Sequence, residues 1–280
     1  MISGAAKLAG VAGWPVAHSL SPALHGHWIV EYRLDAAYVP LAIKPEDLSS
    51  AVAALPKLGF RGLNVTLPHK EAAFRLVDER DEAAEATGAV NTIVFEGGRV
   101  LGRNTDVFGF VESLREGEVA SLTGRTVAVL GAGGAARAVI AGLLSMGAAR
   151  VNLVNRTADK ARVLGAFFGE RVSVIEWSSL SKALSGSVLL VNTTSLGMAG
   201  QPPLAVDLTP LPVDAAVADI VYRPLETGLL AAAKARGLKT VDGLGMLLHQ
   251  ARPGFAAWFG VEPAVTPALR SSLIRLLEAR

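Results

Sequence analysis

The chain has 280 residues, of which 51% are hydrophobic, and a formal net charge of +2 at pH 7, so its length favours two domains with a buried core in each. The absence of cysteine excludes disulfides and thiolate chemistry, and we expect a cytoplasmic protein. Basic residues are scattered, which argues against nucleic-acid binding, and the apolar segment 8–16 is too short and too rich in glycine for a signal peptide or a membrane span.

Predicted strands and helices alternate at the start of the chain, and this order favours a mostly parallel sheet. Ser21 followed by Pro22 is typical of an N-cap and the first helical position, a structural role that is compatible with ligand binding by Ser21. The predicted strands cover residues 7–14, 37–43 and 61–65, and the predicted helices start near Ser21 and cover 45–58.

Polar residues follow the third strand, in the sequence Asn64-Val-Thr-Leu-Pro-His-Lys70. Because ligands bind at the carboxyl edge of parallel strands, this segment is a candidate binding site. A helix over 71–86 and a hairpin over 89–102 follow, the latter turning at Gly97-Gly98. Polar residues flank the hairpin, Asn91-Thr92 before it and Asn104-Thr-Asp106 after it, and pairing of its strands would bring them near one another.

The segment from Thr126 to Arg137 predicts a strand, a glycine-rich turn and a helix. Its spacing Gly131-x-Gly133-x-x-Ala136 matches the dinucleotide-binding fingerprint, in which the glycines allow a tight turn and close approach of a pyrophosphate. The small Ala136 would let the helix pack closely on its strand, and the helix N-terminus favours phosphate binding. Gly147 is a natural position for the helix to end.

A doubly wound, Rossmann-type sheet is predicted for the second half of the chain, because strands and helices alternate there as well. A proline-containing loop over 197–212 separates two of its strands, and a final helix starts after Thr266 as N-cap. We expect this tail to pack back on the first domain. The predicted elements cover 108–115, 150–154, 158–168, 172–177, 180–184, 188–192, 216–221, 227–236 and 239–241.

NADP rather than NAD is favoured by the residue type 20 positions after Ala136. NAD-binding domains carry a carboxylate near this position, which bonds to the ribose hydroxyls. Here Arg156 stands in its place, followed by Thr157 as a predicted helix cap and by Lys160 one turn later, whereas Asp159 falls within the next helix. An arginine can hold a 2′-phosphate. The alternative is that Arg156 and Lys160 are ordinary surface charges.

Proton transfer must use lysine, histidine, aspartate or tyrosine, since no spaced set of histidines and carboxylates indicates a metal site. Lys70 and Asp106 are the favoured pair, because both are predicted on loops at the sheet edge, and the alternative is a surface salt bridge. His18, His25 and His69 are rivals. We expect His69 to point away from the site and His25, inside a helix, to be a structural hydrogen-bonding group.

Nine motifs, in order along the chain, resemble those of the shikimate dehydrogenase family, and the resemblance covers essentially the whole sequence. One departure is Gly26, which follows His25, the histidine just after the serine motif. The family usually has asparagine at this position. The motifs are His18-Ser-Leu-Ser-Pro22, Asn64-Val-Thr-x-Pro-x-Lys70, Gly88-Ala-Val-Asn-Thr92, Asn104-Thr-Asp106, Gly131-Ala-Gly-Gly-Ala-Ala136, Asn155-Arg-Thr157, Asn192-Thr-Thr-Ser-x-Gly-Met198, Asp219-x-x-Tyr222 and Gly243-x-x-Met-Leu-x-x-Gln250.

The resemblance implies reversible NADPH-dependent reduction of 3-dehydroshikimate to shikimate, in aromatic amino-acid biosynthesis. It implies that Lys70 is the acid/base, paired with Asp106. We expect the protein to be a monomer or homodimer. The implied substrate-binding residues are Ser19, Ser21 and Tyr222 for the carboxylate, and Asn64, Thr66, Asn91, Asp106 and Gln250 for the ring hydroxyls. The implied cofactor-binding residues are Gly131, Ala132, Gly133, Gly134, Ala135, Asn155, Arg156, Thr157, Lys160, Thr193, Ile220, Gly243 and Met246.

The predicted domains are therefore a substrate-binding and catalytic domain of residues 1–106 and 246–280, and an NADP-binding domain of residues 107–245. Two alternatives remain: a quinate/shikimate dehydrogenase that uses NAD, and a non-catalytic NADP-sensing module on the same fold. Retention of Lys70 and Asp106 argues against the sensing module, and Arg156 argues against NAD.

Overall fold

The computed structural model describes residues 2–119 and 121–279. Its chain divides into two compact units, one holding the residues up to Thr105 and from Gln250 onward, the other holding Asp106–His249. The sequence placed these changes of domain at residues 106 and 246. The binding roles assigned to the two domains remain predictions.

The sheet of the first unit begins with three parallel strands, with β1 between β2 and β3. Because the strands are parallel, the segments that leave β1 and β3 emerge at the same edge. The elements are β1 (Lys7–Gly13), α1 (Ser21–Glu31), β2 (Ala36–Ala42), α2 (Leu48–Ala54) and β3 (Phe60–Val65).

The predicted hairpin extends this sheet with antiparallel strands, giving the order β2-β1-β3-β5-β6-β4. Thr92 pairs with Asn64 on one side and with Arg103 on the other. The start of β5 and the end of β6 therefore lie at the edge where β3 ends. The elements are α3 (Lys70–Leu76), β4 (Glu79–Arg80), α4 (Glu82–Thr87), β5 (Thr92–Glu96) and β6 (Arg99–Arg103).

Three local predictions in this unit are wrong. The helix expected over 71–86 is interrupted at 77–81, because Asp78 bonds to the backbone of Val100 through its N–H and its carboxylate, and Asp81 caps a new helix by accepting from the Ala84 N–H. The helix expected over 45–58 is α2 flanked by two 3₁₀ turns, each with a proline in its first turn. Helix α1 begins at Ser21 itself, after Leu20, without a side-chain cap.

The second unit contains a parallel sheet in the order β12-β11-β10-β7-β8-β9. This is the strand order of a doubly wound sheet, the type of sheet predicted from the sequence. Gly147 ends α6 with φ of +90°, as expected. The elements are α5 (Thr105–Glu116), β7 (Thr126–Leu130), α6 (Gly134–Ser145), β8 (Arg150–Val154), α7 (Ala158–Phe168), β9 (Val172–Ile175), α8 (Leu180–Leu184), β10 (Ser187–Asn192), β11 (Ala216–Asp219), α9 (Gly228–Ala235) and β12 (Lys239–Val241).

Apolar side chains on both faces of this second sheet are buried, as a sheet covered by helices on both sides requires. Ala136 is fully buried on one face, beside Val127 and Val129 in the same cluster. Its small side chain lets α6 pack closely on β7, as the fingerprint predicts.

The C-terminal segment consists of α10 (Gly243–Phe259) and α11 (Pro267–Glu278), and from Gln250 onward it belongs to the first unit. The return of the tail to the first domain is thus confirmed, and α11 contacts α1. The Thr266 side chain caps α11 by accepting from the Leu269 N–H, as predicted. Among the helices of residues 2–119 and 121–279, none is both long and apolar enough to cross a membrane.

Trp28 joins α1 to this tail. Its side chain is fully buried, its indole N–H donates to the Ala264 carbonyl at 2.9 Å, and its ring lies 5.2 Å from that of Phe255. Since 236 positions separate the donor from the acceptor, the contact connects opposite ends of the sequence.

Replacing Trp28 by phenylalanine should destabilise the first unit, because the substitution removes the indole hydrogen bond and leaves unfilled volume in a packed interior. We expect the free energy of unfolding to fall by about 1–3 kcal/mol, measured by urea denaturation with circular dichroism. The matched control is Trp14→Phe, since Trp14 is 45% exposed and should lose less than about 1 kcal/mol. Equal losses at the two positions would contradict the role given to Trp28.

Candidate functional site

The serine motif lies in the segment that leaves β1. Ser19 is half-buried, and its hydroxyl accepts a hydrogen bond from the Ser21 N–H at 3.3 Å. Ser21 is buried as the first residue of α1. The two predicted carboxylate-binding residues are therefore brought together by local backbone geometry.

Asn64, at the end of β3, is held by three side-chain hydrogen bonds. The Tyr38 hydroxyl donates to Asn64 Oδ1 at 2.6 Å, and Asn64 Nδ2 donates to Thr92 Oγ1 at 3.0 Å and to the Asn91 carbonyl at 3.3 Å. Burial raises the pKa of the Tyr38 hydroxyl well above its ordinary value, while the Ser21 side chain opposes this shift. Tyr38 is therefore a protonated donor that orients the Asn64 amide.

The polar pairs that flank the hairpin meet, as the sequence predicts. Asn91 Nδ2 donates to Thr105 Oγ1 at 3.0 Å, and Asn91 Oδ1 accepts from the Thr105 N–H at 2.8 Å. Asn104 Nδ2 donates to Thr87 Oγ1 at 2.9 Å. These buried amides fix the backbone up to Thr105, the residue that precedes Asp106.

Lys70 is the half-buried first residue of α3, and its carbonyl accepts from the Val90 N–H at 3.0 Å. The neighbouring His69 is buried and bonds to the Ile43 carbonyl through Nε2 at 2.8 Å, so it serves the scaffold. Asp106 is a buried residue in the first turn of α5 and belongs to the second unit, so Lys70 and Asp106 both lie in helices and the prediction that they are on loops is wrong. The two remaining predicted residues of the first unit are both half-buried: Thr66 follows β3, and Gln250 lies in α10.

His25 does not have the hydrogen-bonding role expected from the sequence. Its ring is fully buried and stacks on the Tyr38 ring at 3.9 Å between centroids. Within the described part of the chain, neither of its ring nitrogens has a hydrogen-bond partner. Burial lowers the pKa of His25 from 6.5 to about 3, and the neighbouring Asn64 side chain offsets this only partly. His25 is therefore a neutral aromatic part of the core.

Stability should depend on pH through His25. In the unfolded chain its pKa returns to 6.5, so between pH 6.5 and 3 the unfolded state binds a proton that the folded state does not. The free energy of unfolding should therefore fall with decreasing pH, by up to about 1.4 kcal/mol per pH unit from this group. His25→Phe removes the group and should flatten the dependence, measured by urea denaturation at pH 7, 6 and 5. A difference between wild type and variant that stays constant with pH would contradict this assignment.

The fingerprint turn of the second unit follows β7 directly. Gly131 has φ of +107°, and a Cβ at this position would lie 2.5 Å from Thr193 Oγ1, so the turn requires glycine. Gly133 and Gly134 are exposed, and a Cβ at either would meet nothing within 4 Å. The start of α6 thus faces open space, with Ala132 and Ala135 half-buried beside it.

Arg156 and Lys160 are exposed beyond the end of β8, and neither forms an ion pair with a residue that the structure describes. Asp159 instead pairs with Arg162 at 2.6 Å. Thr157 occupies the N-cap position of α7 as predicted, but its side chain makes no cap, and its carbonyl accepts from Asn155 Nδ2 at 2.8 Å. Among the residues that the structure describes, no carboxylate therefore pairs with Arg156 or Lys160 at the end of β8.

Thr193 ties the loop after β10 to the fingerprint turn, since its N–H and hydroxyl both donate to the Leu130 carbonyl, at 2.8 and 2.7 Å. Gly243, the first residue of α10, packs on the loop after β11, where a Cβ would lie 2.2 Å from the Ile220 carbonyl oxygen. Met246 packs at the margin of the sheet's core, and Tyr222 is half-buried on the same loop as Ile220.

Sequence reasoning missed a buried hydrogen-bond cluster behind these loops. Asp219 has no exposed surface, and its carboxylate bonds to Asn192 and Thr227. Two of the three residues stand in quoted motifs, Asn192-Thr-Thr and Asp219-x-x-Tyr222. The motifs indicated that Asn192 and Asp219 are typical of the family, but not that their side chains are hydrogen-bonded to each other.

Comparison with known proteins covers nearly the whole chain. Residues 11–93 match the family model of the shikimate dehydrogenase substrate binding domain, and residues 113–198 match that of shikimate / quinate 5-dehydrogenase. A shikimate dehydrogenase (NADP(+)) of Rhodospirillum rubrum is 56% identical over 280 residues, covering 98% of this chain and 99% of that protein. This chain belongs to the shikimate dehydrogenase family.

Solved structures resemble this family member closely. Shikimate 5-dehydrogenase from Thermus thermophilus, in complex with NADP(H) and shikimate, is 38% identical with a TM-score of 0.85, covering 97% of this chain and 99% of that one. Quinate dehydrogenase from Corynebacterium glutamicum, in complex with NAD, is 34% identical with a TM-score of 0.89, covering 96% and 99%. The two units of the fold are therefore those of the shikimate dehydrogenase family.

Proposed function

We propose that this chain catalyses the reversible, NADPH-dependent reduction of 3-dehydroshikimate to shikimate, in aromatic amino-acid biosynthesis. The observation that carries the proposal is the 56% identity to a shikimate dehydrogenase (NADP(+)), which covers 98% of this chain and so extends over both units. We further propose that residues 1–106 with 246–280 bind the substrate and residues 107–245 bind the cofactor, in a cytoplasmic monomer or homodimer.

The second unit has the features that NADP requires. The open space over Gly133 and Gly134 allows a pyrophosphate to approach the start of α6, where free N–H groups favour phosphate. Arg156 and Lys160 supply exposed positive charge for the 2′-phosphate, with Asn155 and Thr157 beside them. When bound, NADPH supplies the hydride. Ala132, Ala135, Thr193, Ile220, Gly243 and Met246 complete the proposed contacts.

The first unit supplies most of the proposed substrate contacts. Ser19 and Ser21 bind the carboxylate with their hydroxyls, assisted by Tyr222 from the second unit. Both amide hydrogens of Asn64 are donated to other protein groups, and Oδ1 accepts one hydrogen bond from Tyr38. The second lone pair of Oδ1 accepts from a ring hydroxyl of the substrate in this proposal. Thr66, Asn91 and Gln250 bind the other hydroxyls in the same proposal.

Lys70 and Asp106 act on the proton. Reduction of the ketone leaves an alkoxide oxygen, which must gain a proton from a neighbouring acid. The Lys70 ammonium donates it in reduction and the neutral amine takes it back in oxidation. Asp106 is the partner of Lys70 in the proposed pair and binds the reacting hydroxyl. Burial of Asp106 strengthens its attraction to positive charge, because water screens a buried carboxylate less.

Lys70→Ala should lower kcat by about 10²- to 10⁴-fold, the range typical of a lost general acid, with a smaller change in KM for shikimate. The assay follows NADP reduction with shikimate by absorbance. Lys57→Ala is the control, since Lys57 is exposed in the turn before β3, at the opposite end of that strand. A Lys70→Ala enzyme with near-normal kcat would remove Lys70 from proton transfer.

Arg156→Asp should weaken NADPH much more than NADH, because a carboxylate would repel the 2′-phosphate and accept from a ribose hydroxyl instead. We expect the Kd for NADPH to rise by about 10- to 100-fold, the loss expected for a charge-assisted contact, measured by calorimetry for both cofactors. Arg162→Asp is the control, because Arg162 is an exposed arginine in α7, the helix that follows Arg156. Equal effects on NADPH and NADH would show that Arg156 does not contact the 2′-phosphate.

A quinate/shikimate dehydrogenase that uses NAD is the competing proposal, supported by the 34% identity to the quinate dehydrogenase of Corynebacterium glutamicum. Higher identity to the NADP-linked relative and the basic end of β8 favour the first proposal. Parallel assays of quinate and shikimate with each cofactor distinguish the two. A non-catalytic NADP-sensing module would show binding without turnover, and the presence of Lys70 and Asp106 argues against it.

A further inference from the structure

Asp219, the last residue of β11, joins three separate segments of the second unit. Its Oδ1 accepts from Asn192 Nδ2 at 2.9 Å and from the Val221 N–H at 3.0 Å, and its Oδ2 accepts from the Thr227 hydroxyl at 2.8 Å. The carboxylate thus links the end of β10, the loop after β11 and the start of α9. Each donor comes from a segment that leaves or follows the carboxyl edge of the sheet.

Asn192 connects Asp219 to the loop after β10 through further hydrogen bonds. Its Oδ1 accepts from the Thr194 N–H at 3.0 Å and from the Thr194 hydroxyl at 2.7 Å, while its Nδ2 also reaches the Leu196 carbonyl at 3.3 Å. The Ile220 N–H in turn donates to the Asn192 carbonyl at 3.1 Å. The loops after β10 and β11 are therefore fixed to one another.

Thr227 closes the other end of the loop after β11. While its hydroxyl donates to Asp219, it also accepts from the Leu230 N–H at 3.3 Å, as the N-cap of α9. The segment 220–226, which carries Ile220 and Tyr222, is thus held at both ends. Gly243 supports it from outside, because α10 can approach the Ile220 carbonyl only without a side chain at that position.

Burying a carboxylate costs free energy, because the charged group loses its contact with water. Burial raises the pKa of Asp219, whereas its bonds to Val221, Thr227 and Asn192 lower it. Apolar residues of similar volume often stabilise a protein as well as a buried charge does. A fully bonded polar network does specify one backbone arrangement, because any other arrangement leaves a buried polar group unsatisfied.

The order of the strands indicates which part of the dinucleotide lies near the loops that Asp219 joins. A doubly wound sheet binds a dinucleotide with one nucleotide on each half, across the carboxyl ends of its strands. The fingerprint follows β7, and Arg156 follows β8, so the phosphorylated adenosine belongs to the half formed by β7, β8 and β9. The other nucleotide, which carries the reactive ring, then lies on the half formed by β10, β11 and β12.

We propose that Asp219 is a positioning residue for the nicotinamide, holding the loop of Ile220 and Tyr222 in place through Asn192 and Thr227. This inference rests on the proposed function, since it takes NADP as the dinucleotide. The hydrogen bonds of Asp219 and Thr227 do not reach the segments that carry the pyrophosphate and 2′-phosphate sites, Gly131–Ala135 and Asn155–Lys160, and the loop after β10 meets the fingerprint turn through Thr193 and Thr194 instead. Breaking these hydrogen bonds should therefore free the ring while leaving the phosphates bound.

The test compares Asp219→Asn and Thr227→Val with Thr227→Ser, which keeps the hydroxyl, and with Asp207→Asn. Asp207 is a matched control, because it also accepts from a backbone N–H and a threonine hydroxyl, those of Thr209 at 2.9 and 2.8 Å, but on the exposed surface. Each full-length variant is titrated with 2′-phospho-ADP-ribose, which lacks the nicotinamide, and with NADPH. The mobility of the reduced ring is measured by the fluorescence anisotropy of bound NADPH.

We expect Asp219→Asn and Thr227→Val to bind 2′-phospho-ADP-ribose within about twofold of wild type, to lower the NADPH anisotropy and to reduce kcat for shikimate by about 10-fold or more. Thr227→Ser should restore the anisotropy, and Asp207→Asn should match wild type. Unchanged anisotropy and kcat in folded variants would overturn the proposal, as would a parallel loss of affinity for 2′-phospho-ADP-ribose. Failure of the proposed function would instead appear as wild-type protein that binds NADPH but does not oxidise shikimate.

Discussion

The close approach of Gly131 to Thr193 is the contact on which the second unit's binding edge depends. A side chain at Gly131 would occupy the position of the Thr193 hydroxyl, and that hydroxyl is already committed to the Leu130 carbonyl. The turn after β7 and the loop after β10 are therefore adjacent only because one of them has no side chain. This adjacency lets two halves of a parallel sheet present a single edge to one ligand.

The two units organise their sites by different means. In the second unit, backbone turns and small residues leave space, and a few side chains, such as Thr193 and Asp219, bond the loops to one another. In the first unit the edge is filled with interlocked amides and hydroxyls, from Tyr38 through Asn64 and Thr92 to Asn91. Such a network places each polar group by the bonds it makes to its neighbours, which suits a small ligand with several hydroxyls. Phosphates, in contrast, need only N–H groups and positive charge.

Much of this fold could be predicted from the sequence, because strands, glycine turns and amphipathic helices are local patterns. Helix α7 and strand β12 have the predicted bounds, and the fingerprint has the predicted strand–turn–helix context. The break near Asp78 could not be predicted in this way. It depends on a bond to Val100, which is distant in sequence and becomes a neighbour only when the hairpin joins the sheet.

In the candidate site, too, features that follow from local sequence patterns were predictable and contacts between distant residues were not. The positions of Lys70 and Arg156 beyond the carboxyl ends of β3 and β8 were predictable, because parallel strands end at the same edge of a sheet, whereas the roles of these residues remain predictions. The partners of the site residues were not predictable. Tyr38 lies in a strand with no feature that marks it as the donor to Asn64. Nor does the position of His25 in a helix indicate that its ring nitrogens lack a hydrogen-bond partner among the described residues. Contacts across a folded core depend on register and packing, which single-sequence patterns do not contain.

The tryptophans are unevenly distributed between the two units, so tryptophan fluorescence reports mainly on one of them. Of the four tryptophans, Trp14, Trp28 and Trp258 lie in the first unit, and Trp177 lies in the second. Trp28 and Trp258 are buried within 6 Å of the His25 ring, which stays uncharged down to about pH 3 and so cannot act as a cationic quencher near neutrality. Intrinsic emission therefore records chiefly the unfolding of the first unit, and a Trp177→Phe protein would record that unit alone.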